Sequence, residues 1–309
     1  MTNRASITAE YMAFFRALES LRPTGSRLFV DTEAPRFLTG GRKWFYRVAR
    51  LPAGRGLVES LLDRASPGAR AAGIARTKWI DEQVTEALEG ATQLVLLGAG
   101  FDMRAQRLQA SRNAVVFELD HPVTSHSKQA VLGPSGRPLA ERARYVAIDF
   151  NRRSIAEVLL GAGFDPSQRA CLIWEGVTNY LTDEAVDGTL RQIGATVANG
   201  SILVFTYVER AVLDHPERFF GGTKLLARVK SYGEPWTFGV DPEELRPYLE
   251  KRGFELLQDV SAAEVWLRFG RPASAIRGYE FYRIATTRVR ENRVHDAGEN
   301  LSATGPVRG

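Results

Sequence analysis

The residues best suited to chemistry begin at Leu96-Leu97-Gly98-Ala99-Gly100-Phe101-Asp102. A tight glycine turn closing an apolar strand lets the backbone approach a ligand closely, at the usual crevice of a doubly wound sheet. The third glycine of a dinucleotide fingerprint would fall at Met103, which disfavours NAD and FAD, and no G-x-x-x-x-G-K-[ST] phosphate loop occurs. Acids then recur at the ends of successive apolar runs: Asp120 closes Phe117-Glu118-Leu119, Asp149 follows Ala147-Ile148, and Glu175 follows Trp174. Asp120 lies about 20 residues past the glycines, where an acid can accept both hydroxyls of a ribose. Asp149 can take an adenine amino group, with Phe150 packed on the ring. With Asp102, the set suits a ligand with an adenosine and a positively charged end, not a triphosphate. Glu118, two residues back on the same strand face, competes with Asp120 for the ribose. Nearly the same letters recur at Gly161-Ala162-Gly163-Phe164-Asp165, but there they follow a helical stretch and read as a helix C-cap and loop.

Positioning these residues requires alternating strands and helices. Short apolar runs at Gln93–Leu97, Val115–Leu119, Arg144–Ile148, Ala170–Trp174 and Ser201–Tyr207 read as strands, and Phe254–Val260 and Tyr279–Val289 add two more. Helical spacing appears at 6–21, 76–89, 154–160, 183–198 and 241–252; Ser6 or Thr8 can cap the first, and Gly90 and Gly253 stop two others. The alternation implies an α/β fold with a doubly wound, mostly parallel, seven-stranded Rossmann-like sheet. A single domain over 1–290 is expected: a helical cap over 1–90 and a core over 91–290 carrying an insertion at 208–238. Residues 291–309 lack periodicity and read as a disordered tail.

The 309 residues carry 41 basic and 36 acidic side chains, a net charge of +5. Only six of the basic residues are lysines, and the arginines are scattered among acids without a dense stripe, so no nucleic acid is expected as a partner. No apolar run reaches 18 residues and no secretory leader is evident, which predicts no membrane partner and a cytoplasmic location. The single cysteine, Cys171, excludes an intrachain disulfide and a cysteine-rich zinc site. His121 and His126 are not at helical metal-pair spacing, and no metal is expected.

Taken together, these residues resemble the class I S-adenosylmethionine-dependent methyltransferases of the leucine carboxyl methyltransferase type, a group that includes bacterial natural-product and polyketide O-methyltransferases. The resemblance runs from about Ile7 to Val289. It is carried by Arg76-Thr77-Lys78-Trp79-Ile80-Asp81, LLGAGFDMRAQRL at 96–108, FELDHP at 117–122, AIDF at 147–150, GAGFDPSQ at 161–168 and EGVTNYLTDEAV at 175–186. It implies S-adenosylmethionine as cofactor, with Arg76 on its carboxylate and Glu175 near its amino group. Gly98 and Gly100, with Ala99 and Asp102 in the same turn, would line the methionine moiety. Asp120 would bind the ribose, and Asp149 with Phe150 the adenine.

The expected reaction is O-methylation of a small molecule, with a carboxylate acceptor preferred over a phenol. A carboxylate is ionised at neutral pH and needs no base, whereas a phenol does. No catalytic residue is assigned; Tyr180 and His215 are the candidates for that role. Phe219, Phe220, Tyr232 and Trp236 around Gly221-Gly222 either form a lid over an apolar acceptor or fill the core beneath the loop. A nucleic-acid methyltransferase would be expected to carry an Asn/Asp-Pro-Pro-aromatic motif where this chain has Glu175-Gly176-Val177-Thr178. A protein that keeps the cofactor site without transferring methyl groups is the remaining rival. Nothing in the sequence indicates an oligomeric state.

Overall fold

The computed structural model describes residues 6–133, 143–150 and 153–290. Seven strands form one sheet in the order β3-β2-β1-β4-β5-β7-β6: β1 Gln93–Leu97, β2 Val115–Asp120, β3 Ala143–Ala147, β4 Ala170–Trp174, β5 Ile202–Val208, β6 Phe254–Ser261 and β7 Tyr282–Val289. The first five are parallel, and β7 runs antiparallel between β5 and β6. β1 and β4 are fully buried, as continuous apolar runs covered on both faces must be. Strand order reverses between β1 and β4, the switch point at which such sheets open a ligand crevice.

Before the sheet come α1 Ile7–Ser20, α2 Gly40–Ala49, α3 Gly54–Ala65 and α4 Ala69–Ala87. The Ser6 hydroxyl caps α1 by accepting from the Ala9 N–H at 3.2 Å. α4 starts seven residues before the expected position, because the alanine-rich stretch from Ala69 extends the helix backward. The later helices are α5 Arg104–Arg107, α6 Pro122–Leu132, α7 Ile155–Gly161, α8 Asp183–Thr196, α9 Arg210–Asp214, α10 Gly222–Ser231, α11 Pro242–Glu250 and α12 Ala262–Arg268. The final strand begins at Tyr282, not Tyr279, because Tyr279 closes a turn with the Tyr282 N–H.

One face of the sheet packs Phe117, Trp174 and Phe205 with residues of α7, α8 and α11; the other packs Leu94, Ile173 and Val204 with α4 and α12. A third cluster joins Phe14 and Leu18 of α1 to Phe101 and Met103 beyond the glycine turn. Met103, at the position of the missing third glycine, is fully buried there, and Phe37 stacks on Phe101 at 4.6 Å between centroids. The second glycine motif ends α7: Gly163, at φ +82°, donates its N–H to the Leu160 carbonyl, as the C-cap reading requires. The proposed tail lies outside the described residues.

Candidate active site

A cavity of about 540 Å³ opens beyond the carboxyl ends of β1, β2 and β4. Gly98, at φ +69°, donates its N–H to the Leu119 carbonyl at 2.8 Å, and a Cβ there would lie 2.4 Å from Val177 Cγ2. Gly100, at φ +49°, donates to Asp120 Oδ2 at 2.5 Å, and the His121 N–H donates to Asp120 Oδ1 at 2.6 Å. The acid ending β2 thus clamps the turn ending β1. Burial raises the Asp120 carboxyl above its ordinary pKa, opposed by these two N–H groups. Ala99, Asp149 and Phe150 line the same half of the cavity.

Glu118 has a different environment. It is 1% exposed, pairs through Oε2 with Lys128 Nζ at 2.7 Å, and is not among the residues lining the cavity. Lys128 also donates to the Asp102 carbonyl. Although the two acids share a strand face, Glu118 is covered by α6 and Asp120 stands at the open strand end.

Glu175 sits between two arginines. Its Oε1 accepts from Arg76 Nε at 2.9 Å and its Oε2 from Arg104 Nη1 at 2.6 Å. Arg76 also reaches Met12 Sδ at 2.9 Å and lies over the Tyr282 ring, 4.6 Å from its centroid. Arg104, 2% exposed, donates to Asp81 Oδ1 at 2.8 Å and to Asp102 Oδ2; Arg107 then binds both oxygens of Asp81. Burial works to raise the Asp102 carboxyl, but Arg104 foremost, with Arg16, Arg107 and Lys128, holds it down at about 2. Sequence reading missed Arg104 as a hub. It lies inside a recognised motif, but no spacing rule reveals partners 23 and 71 residues away.

This clamp predicts an acid limb in stability. A carboxyl whose folded pKa lies below its unfolded value stabilises the fold above about pH 4 and loses that contribution as pH falls toward 2. Asp102 should contribute on the order of 2 kcal/mol, which urea unfolding between pH 5 and pH 2.5 would register. Asp102→Asn should flatten the limb; an unchanged slope would refute the assignment.

The other half of the cavity is aromatic. Tyr180, in the turn Thr178–Tyr180, lines it beside Tyr232 and Trp236, and Tyr232 stacks on Tyr11 with centroids 6.5 Å apart. Burial, then the neighbouring Tyr282, pushes the Tyr180 phenol up to about 12, so it is neutral at physiological pH. The two readings of the insertion aromatics divide between residues. Tyr232 and Trp236 line the cavity, Phe219 packs edge-on against Phe281 at 5.4 Å, and Phe220 is half exposed under Arg277. The structure does not bring His215 to the cavity. It occupies the exposed turn after α9, its Nδ1 3.5 Å from Glu217. The insertion folds as two helices joined at that turn, which directs the imidazole outward.

Arg228 and Glu234, neither of them a sequence candidate, also line the cavity. Arg228 donates to the Ser66 hydroxyl and, at 2.8 Å, to the Ala65 carbonyl, both neutral partners. Glu234 Oε2 is buried and without a hydrogen-bond partner among the described residues.

A model of the leucine carboxyl methyltransferase family matches residues 9–194. The chain belongs to that family. This methyltransferase is 33% identical over 276 residues to a Streptomyces coelicolor protein named as an S-adenosyl-L-methionine-dependent methyltransferase, covering 88% of this chain and 90% of that one. A Frankia alni protein of the same description is 31% identical over 274 residues, covering 86% and 89%. Among solved structures, a Thermobifida fusca protein named as a methyltransferase superposes with a TM-score of 0.56 at 18% identity, over 94% of this chain and 96% of that one, which speaks to the fold alone. The methyl donor of this methyltransferase is S-adenosylmethionine. No helix among the described residues is long and apolar enough to cross a membrane.

Proposed function

We propose that this methyltransferase O-methylates a carboxylate on an apolar small molecule of natural-product or polyketide type. The observation that carries this reading is Arg228: a guanidinium in an aromatic cavity, its hydrogen bonds spent on a hydroxyl and a carbonyl, is an available counter-charge for an acid. The cofactor half fits the donor. Gly98 leaves no room for a Cβ, which suits close approach of the methionyl chain. Asp120, held through both oxygens by backbone N–H groups, would receive the ribose hydroxyls, and Asp149 with Phe150 the adenine. Arg76 would meet the donor carboxylate and Glu175 its amino group, with Arg104 fixing the Glu175 carboxylate.

When bound, S-adenosylmethionine supplies an electrophilic methyl group on a sulfonium sulfur. The protein then has to align the acceptor oxygen, methyl carbon and sulfur at about 3–3.5 Å, and that alignment can account for most of the acceleration. Tyr180, as a neutral phenol, would orient the acceptor by donating a hydrogen bond, and the 208–238 insertion would cover it. An ionised acceptor asks no residue to take a proton. A hydroxyl acceptor is favoured by one observation, the unpartnered buried oxygen of Glu234, which would serve as its base.

An acceptor screen scored by the mass gain of one methyl group separates the two. The expected product is an ester that alkali hydrolyses. Arg228→Ala should raise the acceptor KM at least tenfold, while Glu234→Gln and His215→Ala stay within a few-fold. An alkali-stable ether, with activity falling 10²–10⁴-fold in Glu234→Gln, would replace this reading with the hydroxyl one.

A further inference from the structure

The net charge of +5 conceals a local asymmetry. Between residues 40 and 65 there are six basic residues and two acidic ones. Both acids are already paired with arginines outside the hairpin: Glu59 with Arg22 at 2.7 Å and Asp63 with Arg70 at 2.6 Å. Lys43, Arg47, Arg50 and Arg64 are exposed and make no ion pair among the described residues. Large apolar side chains stand among them: Trp44 59% exposed, Leu51 61%, Leu57 57% and Leu61 44%. Isolated exposed leucines need no explanation, but four large apolar side chains within 18 residues of one helical hairpin do. Trp44 and Arg47 lie one turn apart on α2, Leu51 follows just beyond it, and Leu57 and Leu61 lie one turn apart on α3.

We infer that the α2–α3 hairpin docks this methyltransferase on an anionic phospholipid surface. Cations that can stay in the headgroup layer, interleaved with a tryptophan and leucines that can enter the acyl boundary, are the two components of interfacial binding. A nucleic acid would use the cations but not the leucines, and a second copy of this chain would bring like charge against like. The inner side of α3 supplies Leu62 and Ala65 to the active-site cavity, so a docked enzyme would have its acceptor half next to the lipid. The expectation of no membrane partner rests on the absence of an 18-residue apolar run, a criterion for spanning a bilayer that does not address a hairpin lying on its surface.

Sedimentation of the full chain with phosphatidylglycerol–phosphatidylcholine vesicles at 0.15 M salt tests this. Binding is expected on the mixed vesicles and not on pure phosphatidylcholine, with release at 1 M salt. Each cation near such a surface is worth about fivefold in partition, so Lys43→Glu/Arg47→Glu/Arg50→Glu should lose well over a hundredfold. Trp44→Phe should abolish the blue shift of tryptophan emission on vesicle addition while leaving the S-adenosylhomocysteine-bound melting temperature unchanged. The inference is overturned if the mixed vesicles do not bind at millimolar lipid or if the charge-reversed variant binds as the parent does. It is equally overturned if ultracentrifugation shows a dimer in which Trp44 is shielded from acrylamide.

Discussion

Glu118→Ala should destabilise the fold by about 3–5 kcal/mol, the usual cost of leaving one partner of a buried ion pair unpaired. Lys128 is 1% exposed and would be left with the Asp102 carbonyl as its remaining acceptor. Glu118→Gln, which keeps the shape and one hydrogen bond, should cost less. Asp120→Ala should show the converse behaviour. Its stability loss should be the smaller of the two, about 1–2 kcal/mol for the Gly100 and His121 N–H groups left without their acceptor, but affinity for S-adenosylhomocysteine should fall by roughly 1–3 kcal/mol, the scale of lost hydrogen bonds to a charged group. Urea unfolding and calorimetry on the same three variants decide the matter. If Glu118→Ala remained stable and lost more cofactor affinity than Asp120→Ala, the ribose assignment would move to Glu118.

Arg104→Lys should be nearly as damaging despite conserving the charge. The guanidinium spans Asp81, Asp102 and Glu175 with separate nitrogens, and an ammonium is a single point that cannot hold all three. Loss of about 2–4 kcal/mol of stability is expected, within the range for a broken buried network. Because Glu175 would lose one of its two anchors, S-adenosylhomocysteine affinity should also fall at least tenfold. A parallel measurement of NAD should show no stabilisation in either protein. If Arg104→Lys bound S-adenosylhomocysteine as the parent does, Arg104 would be a purely structural residue and Arg76 alone would orient Glu175.

Much of this architecture is legible in local patterns. Buried strands write themselves as short apolar runs, and Gln93–Leu97 and Ala170–Trp174 coincide with β1 and β4. The glycine turn and its decoy differ only in what precedes them, a strand in one case and a helix in the other, and that context can be read from periodicity. The acids Asp120, Asp149 and Glu175 are visible because each follows a run that has to be a strand, and parallel strands bring their carboxyl ends to one edge.

What the linear chain does not carry is the company each residue keeps. Glu118 and Asp120 are equivalent by spacing; only α6 laid across β2 makes one a buried ion pair and the other a cavity wall. Arg76 and Glu175 are 99 residues apart, and they meet because α4 packs across the sheet against β4, whose carboxyl end carries Glu175. His215 looks plausible beside aromatics and paired glycines, yet the turn between two short helices directs it to solvent. Arg228, Glu234 and the basic apolar face of α2 and α3 have no motif at all. Hydrophobic periodicity determines which side of an element is buried, so sequence alone determined the seven strands, the longer helices and the sheet edge at which the acids gather. Pairings across the cavity depend on how the helices pack over that edge, and only the tertiary structure decided them.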